Sequence, residues 1–155
     1  MQQKRYTPDQ ALPKAKHYCA YQERSHSEVK EKLYGFGLNK KEVEEILAVL
    51  IEEGYLNEER FALQYAGGKF RMKHWGKVKI RYELKQKQVS EYSIKKALAA
   101  IDKVEYQKTF FKLFEEKLKT VKSEKNIFTK KKKLQDYLLQ KGFETDLIRE
   151  ALNDL

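Results

Sequence analysis

Between residues 69 and 87 the chain sets eight cations, Lys69, Arg71, Lys73, Lys77, Lys79, Arg81, Lys85 and Lys87, against the single acid Glu83, with His74, Trp75 and Tyr82 among them. Such side chains do electrostatic work: ammonium and guanidinium groups track phosphates, and aromatic faces stack on unpaired bases. On a helix beginning near Gly76, Lys77, Arg81 and Lys85 recur at i, i+4 and i+8, beside the apolar pair Ile80 and Leu84. Lys69, Arg71, Lys73, Trp75, Lys77, Lys79, Arg81 and Lys85 are therefore the candidate binding residues for a polyanion. With about five phosphates engaged, counterion release predicts roughly a 500-fold loss of affinity between about 50 and 200 mM salt. The competing reading is a solvated lysine face with Trp75 as a core anchor. The run Lys130 to Lys133, flanked by Phe128 and Leu134, fits an exposed helix start better than a contact.

Groups that make and break bonds are missing from the spacings catalysis needs. Lys69 and Lys77 each follow a glycine, but Leu63 and Arg71 stand where a phosphate loop needs its first glycine. Phe70 and Val78 stand where it needs Ser or Thr. His17, His26 and His74 are scattered and Cys19 has no ligand-spaced companion, so no metal site is expected. His17 and Cys19 read as a packed surface and a core thiol. Glu44, Glu45, Glu52 and Glu53 sit among other helix charges and read as solvated faces. No catalytic residue, cofactor or enzymatic activity is expected.

The elements that position the basic stretch are helices. Charged residues make up 36% of the 155 residues, only two prolines occur, both before residue 14, and Lys, Glu, Leu and Ala recur at helical spacing. The net charge of +10 lies in the middle and at the end, since residues 1–56 carry as many acids as bases. That asymmetry favours a polyanionic partner. A single cysteine fits a reducing compartment, and neither a bilayer-length apolar run nor a signal-peptide core is present, which places the chain in the cytoplasm.

A threefold repeat organises those helices. With Leu33, Leu84 and Leu138 as anchors, Val29, Ile80 and Leu134 fall four before, and Leu38, Val89 and Phe143 five after. Val43, Ile94 and Ile148 follow at +10; Ile46, Ala97 and Ala151 at +13; Leu47, Leu98 and Leu152 at +14; Leu50, Ile101 and Leu155 at +17. The offsets describe two amphipathic helices per copy, broken at Gly37, Gln88 and Gly142, a column that wants a left-handed residue. Asn39 with Glu42 reads as a capping box, Ser90 as an N-cap, and Glu144 or Thr145 opens the last helix. A longer helix precedes each pair: about 10–23 with Leu12, Ala15, Tyr18 and Cys19 inward, 57–73 with Phe61, Leu63 and Tyr65, and 103–121 with Phe110, Phe111, Phe114 and Leu118. The expected fold is all-α: a flexible segment over 1–9, then three tandem three-helix repeats at 10–56, 57–102 and 103–155. Small units that lean on neighbours in series predict an elongated curved rod, a monomer with one long face free.

At the first junction the chain reads Gly54, Tyr55, Leu56, Asn57, Glu58, Glu59, Arg60, Phe61, Ala62, followed by Arg71, Gly76, Ile80, Glu83 and Leu84. Upstream stand Arg24, Ser25, Ser27, Glu28 and Leu33. These stretches resemble the RecX family, with its Gly-Tyr-(Leu/Ile)-(Asn/Asp)-Asp-x-(Arg/Lys)-Phe-Ala and Gly-x-x-x-Ile-x-x-Glu-Leu patterns. Glu58 departs from the family's Asp and Gln88 from its Gly, and Gly67 and Gly68 weaken a helix interior. The resemblance implies a regulator that lies along the RecA recombinase filament and limits its extension, ATP hydrolysis and strand exchange. Single-stranded DNA, and in a wider reading duplex DNA, would be its nucleic-acid partner. A free-standing basic DNA-binding protein and an adaptor for an acidic protein are the competing readings.

Overall fold

The computed structural model describes residues 5–155, and every regular element among them is an α-helix. The first triplet is α1 (Pro8–Tyr21), α2 (His26–Gly35) and α3 (Lys40–Glu52). The second is α4 (Glu58–Lys73), α5 (Lys77–Gln86) and α6 (Glu91–Ala99), and the third α7 (Lys103–Thr120), α8 (Ile127–Lys141) and α9 (Thr145–Asn153). Short polar side chains start most of them by accepting orphan backbone N–H groups. Thr7 and Gln10 form a capping box on α1, and Asn39 and Glu42 form the expected one on α3. Ser25, Asn57, Asp102 and Asn126 cap α2, α4, α7 and α8. Of the segment read as flexible over 1–9, residues 1–4 lie outside the described residues, and Pro8 and Asp9 already belong to α1. No described helix is long and apolar enough to cross a membrane.

The repeat columns become core. Val29, Leu33, Ile80, Leu84, Leu134, Leu138, Leu50 and Ile94 are fully buried. The last column breaks at Leu155, which is 42% exposed because α9 stops at Asn153 with Asp154 as its C-cap. Leu63 and Phe111, expected inward, are 51% and 47% exposed. Their helices bury Phe61, Ala62, Ala66 and Phe70, and Tyr106, Phe110, Leu113 and Phe114, so Phe61, Phe110 and Phe114 lie inward as expected and the stripes pass one residue to the side of Leu63 and Phe111.

The turn between the paired helices repeats with its backbone. Gly37, Gln88 and Gly142 hold φ of 86°, 62° and 94°, the left-handed region where a Cβ crowds the carbonyl. Replacing Gln88 by glycine should therefore stabilise the protein by about 1 kcal/mol in chemical denaturation. An unchanged or lowered midpoint would mean that Gln88 earns back its strain through contacts.

Two compact units emerge. One holds the chain up to Gln64 together with Leu84–Lys96, the other Tyr65–Glu83 with Ala97–Leu155. In the first, α1 packs on α2 and α3 around Ala11, Ala15, Cys19, Val29, Leu33, Val43, Ile46 and Leu50. Burial raises the Cys19 thiol pKa, as befits a core position. In the second, the rings of Phe70, Tyr106, Phe143 and Phe110 pack in succession with centroids 5.2 to 5.7 Å apart.

The departure at Glu58 has a structural use. Its carboxylate accepts from the Ser90 N–H at 3.2 Å, from Ser93 Oγ at 2.8 Å and from Ser90 Oγ, so it ties the start of α4 to the start of α6. Burial pushes the Glu58 carboxyl up, but these bonds outweigh it and hold the pKa below its usual value. Nearby, His26 Nε2 is buried without a hydrogen-bond partner. Desolvation, with Lys30 adding to it and Glu58 opposing, lowers the His26 pKa below its ordinary 6.5. A lowered folded pKa means that the unfolded chain binds the proton first. The His26 contribution is then complete above 6.5 and is lost as pH falls through the folded value. Denaturation midpoints should drop between about pH 7 and 5, and His26→Gln should flatten that slope. A slope unchanged by the substitution would assign it elsewhere.

Candidate nucleic-acid interface

The basic stretch folds around one ring. After α4 ends, His74 takes a left-handed φ of 57° and the Trp75 N–H returns to the Lys69 carbonyl at 3.3 Å. That turn lays the half-buried indole back along the last turns of α4, where Tyr65 meets it edge-on at 6.4 Å. The Lys69 ammonium then lies 5.0 Å from the Trp75 ring centroid and the Lys79 ammonium, from α5, 4.6 Å. Lys69 also lies 5.5 Å from the Tyr65 ring. Each such contact holds a flexible cation in place with about 0.5–1 kcal/mol at exposed sites. Trp75 is thus a platform that holds two ammonium groups at one indole, one from α4 and one from α5.

The start of α5 shows what these side chains must do unaided. Helix N-termini often hold anions through free N–H groups. Here Gly76 N–H donates to the Lys141 carbonyl at 2.8 Å, and Val78 and Lys79 N–H to the Gly142 carbonyl at 2.9 and 3.4 Å. Lys77 N–H donates to the Tyr106 hydroxyl at 2.9 Å, and that hydroxyl in turn donates to the Glu144 carboxylate. The closing carbonyls come from the negative end of α8, so the two helix dipoles attract. Burial, and then the bond to Glu144, raise the Tyr106 pKa far above its usual range, so the group remains a neutral phenol. With the helix start sealed, an anion at this face meets side-chain cations alone.

Those cations are available. Among the described residues, none of Lys69, Arg71, Lys73, Lys77 and Lys79 takes part in an ion pair. The Lys77 ammonium sits 5.0 Å from the Tyr106 ring, and Arg71 and Lys73 are exposed in the last turn of α4. The Arg71 guanidinium folds back over Gly67, 2.7 Å from where a Cβ would stand, but so mobile a side-chain end can move aside, and the contact does not by itself require glycine. Nothing in the structure explains Gly68. Lys77, Arg81 and Lys85 do recur along an unbroken α5, but Lys85 lies 3.8 Å from Glu91, and beyond the helix Lys87 pairs with Glu28 at 3.2 Å. In the lysine run of α8, Lys132 pairs with Asp136 and Lys133 with Glu124. Tyr106 was outside the sequence reading. Its one signal was the i, i+4 spacing to Phe110, easily overlooked beside Phe111.

Comparison with known proteins identifies the family and the fold. Residues 57–98 match the family model described as the RecX second three-helix domain and residues 104–152 that of the third. A regulatory protein RecX of Chlorobium phaeobacteroides is 31% identical over 135 residues, which cover 86% of each chain. A regulatory protein RecX of Bacillus cytotoxicus is 30% identical over 89% of this chain, which spans about half (51%) of that relative's length. The crystal structure of RecX from Lactobacillus salivarius superposes with a TM-score of 0.84 over 96% of both chains, at 24% identity, and so shares the fold. Two adjacent matched triplets, a relative 31% identical over 86% of its length and a common architecture agree: the chain belongs to the RecX family of regulatory proteins.

Proposed function

We propose that this protein is a non-enzymatic, cytoplasmic regulator that binds the RecA recombinase filament as a monomer and inhibits its extension, ATP hydrolysis and strand exchange. Membership of the RecX family supports that reading. The observation that carries the nucleic-acid part is that the five cations Lys69, Arg71, Lys73, Lys77 and Lys79, two of them held on the Trp75 ring, have no carboxylate partner among the described residues. Lys69, Lys77 and Lys79 meet phosphates of the single strand inside the filament, and Arg71 and Lys73 extend the contact, with Arg81 and Lys85 farther along α5. Duplex DNA offers the same phosphates and is the weaker partner. The test adds purified protein to RecA on single-stranded DNA and follows ATP turnover and filament length. Slower turnover and shorter filaments are expected, and their absence at demonstrated saturation overturns the proposal.

The same cations also support a reading in which the protein binds DNA without a recombinase. That reading expects affinity for naked DNA to equal affinity for the filament. The filament reading expects recombinase to tighten binding, and a pull-down with bare and RecA-coated DNA separates them.

A further inference from the structure

The first triplet, whose acids and bases balance, carries a second basic and aromatic surface that composition hides. An open pocket of about 740 Å³ lies where α1 meets α2, and neither Asp nor Glu lines it. That volume is within the roughly 300–1,000 Å³ of ordinary ligand pockets. Its aromatic walls are Tyr18, Tyr21 and Phe36, its cations Lys14, Arg24 and Lys32. The cations are held on rings as they are around Trp75. The Arg24 guanidinium lies 3.7 Å from the Tyr18 centroid and is fixed there by its Nε donating to the Tyr18 carbonyl at 3.0 Å. Lys32 lies 5.2 Å from the same ring, and Lys14 4.9 Å from Tyr6. Among the described residues none of the three has a carboxylate partner, and Tyr21 is 79% exposed.

We propose that this pocket is a second binding site for single-stranded nucleic acid, on which an unpaired base stacks against Tyr21 and the fixed Arg24 plane while Lys14 and Lys32 meet its flanking phosphates. Charge complementarity selects an anion, because three unpaired cations line a pocket free of acids. Flat surfaces select a nucleobase: a Tyr ring in solvent and a guanidinium stacked on a second ring are both platforms for unpaired bases. Duplex DNA keeps its bases stacked inside and gains nothing from them. The site involves neither the recombinase nor the lysines around Trp75.

Because Trp75 is the only tryptophan, the two sites can be read separately in the full chain. A short oligothymidylate carrying 5-iodouracil is bound and photo-crosslinked, the peptides are mapped, and Trp75 fluorescence is followed in the same titration. Crosslinks at Tyr18 or Tyr21 are expected, in addition to any near Trp75. Tyr21→Ala should weaken oligothymidylate binding at this pocket about tenfold, by loss of one stacked base, with the Trp75 signal unchanged. Arg24→Lys keeps the charge but loses the plane, and should weaken binding several-fold while leaving the salt dependence alone. The double variant Lys14→Gln and Lys32→Gln should lower the salt slope by about 1.4. Circular dichroism verifies that each variant is folded. Crosslinks confined to residues near Trp75, a Tyr21→Ala variant that binds normally, or polyglutamate competing as well as oligothymidylate would each overturn the proposal, the last in favour of an acidic protein partner.

Discussion

Lys69→Glu combined with Lys79→Glu should reduce affinity for single-stranded DNA by roughly a hundredfold at about 0.1 M salt. Each lost phosphate contact removes about fivefold at that salt through counterion release, about 25-fold for the two, and repulsion from the two new carboxylates adds about fourfold more. The two ammonium groups lie within 5.0 Å of the centroid of one indole, and reversing both also ends the ring's hold on them. Trp75 fluorescence should respond to DNA in the wild type and not in the variant, at unchanged helicity. A variant that binds DNA within threefold of the wild type would move the interface away from this face.

Gly142→Ala should cost about 3 kcal/mol or more, among the largest effects of any surface-turn substitution here. An added Cβ would stand 2.1 Å from Lys79 Cβ and 2.8 Å from the Lys79 nitrogen, at a φ of 94°. Left-handed strain contributes about 1–2 kcal/mol and forced separation of packed backbone about 1–3 kcal/mol. Gly54 supplies the control: its φ is 79° with nothing within 4 Å, so Gly54→Ala carries the strain alone, about 1 kcal/mol. Urea denaturation of both variants decides the matter. Equal losses would mean that the α5 backbone yields to the added methyl at the Gly142 turn.

The helical triplets were readable because periodic apolar columns and short polar caps are local signals. Leu33, Leu84 and Leu138 announce themselves by spacing, and Asn39 with Glu42 by type. Even the strained Gln88 followed from its column, since Gly37 and Gly142 share its backbone. Phase within the long helices was harder. Large apolar residues draw the eye, yet the buried positions beside Leu63 are the small Ala62 and Ala66, and beside Phe111 the amphipathic Tyr106 and Leu113. The basic stretch was legible as charge, but its geometry was not. That lysines rest on Trp75, and that the α5 start is closed by carbonyls some sixty residues later, depends on contacts that leave no mark on local sequence. Glu58 shows the reverse case: read as a departure, it reaches two serines at the start of another helix.

The sealing of the α5 start bears on how such a protein can evolve. A repeat that ends its own hydrogen bonding can be copied, dropped or exchanged as a cassette. Here the opening turn of the middle repeat is finished by main chain at 141–142 and a phenol at 106, all from the final repeat. Deleting the third triplet, or inserting another between it and the second, would strand polar groups at the start of α5. The second and third repeats are in this way bound to their order, each holding a different post.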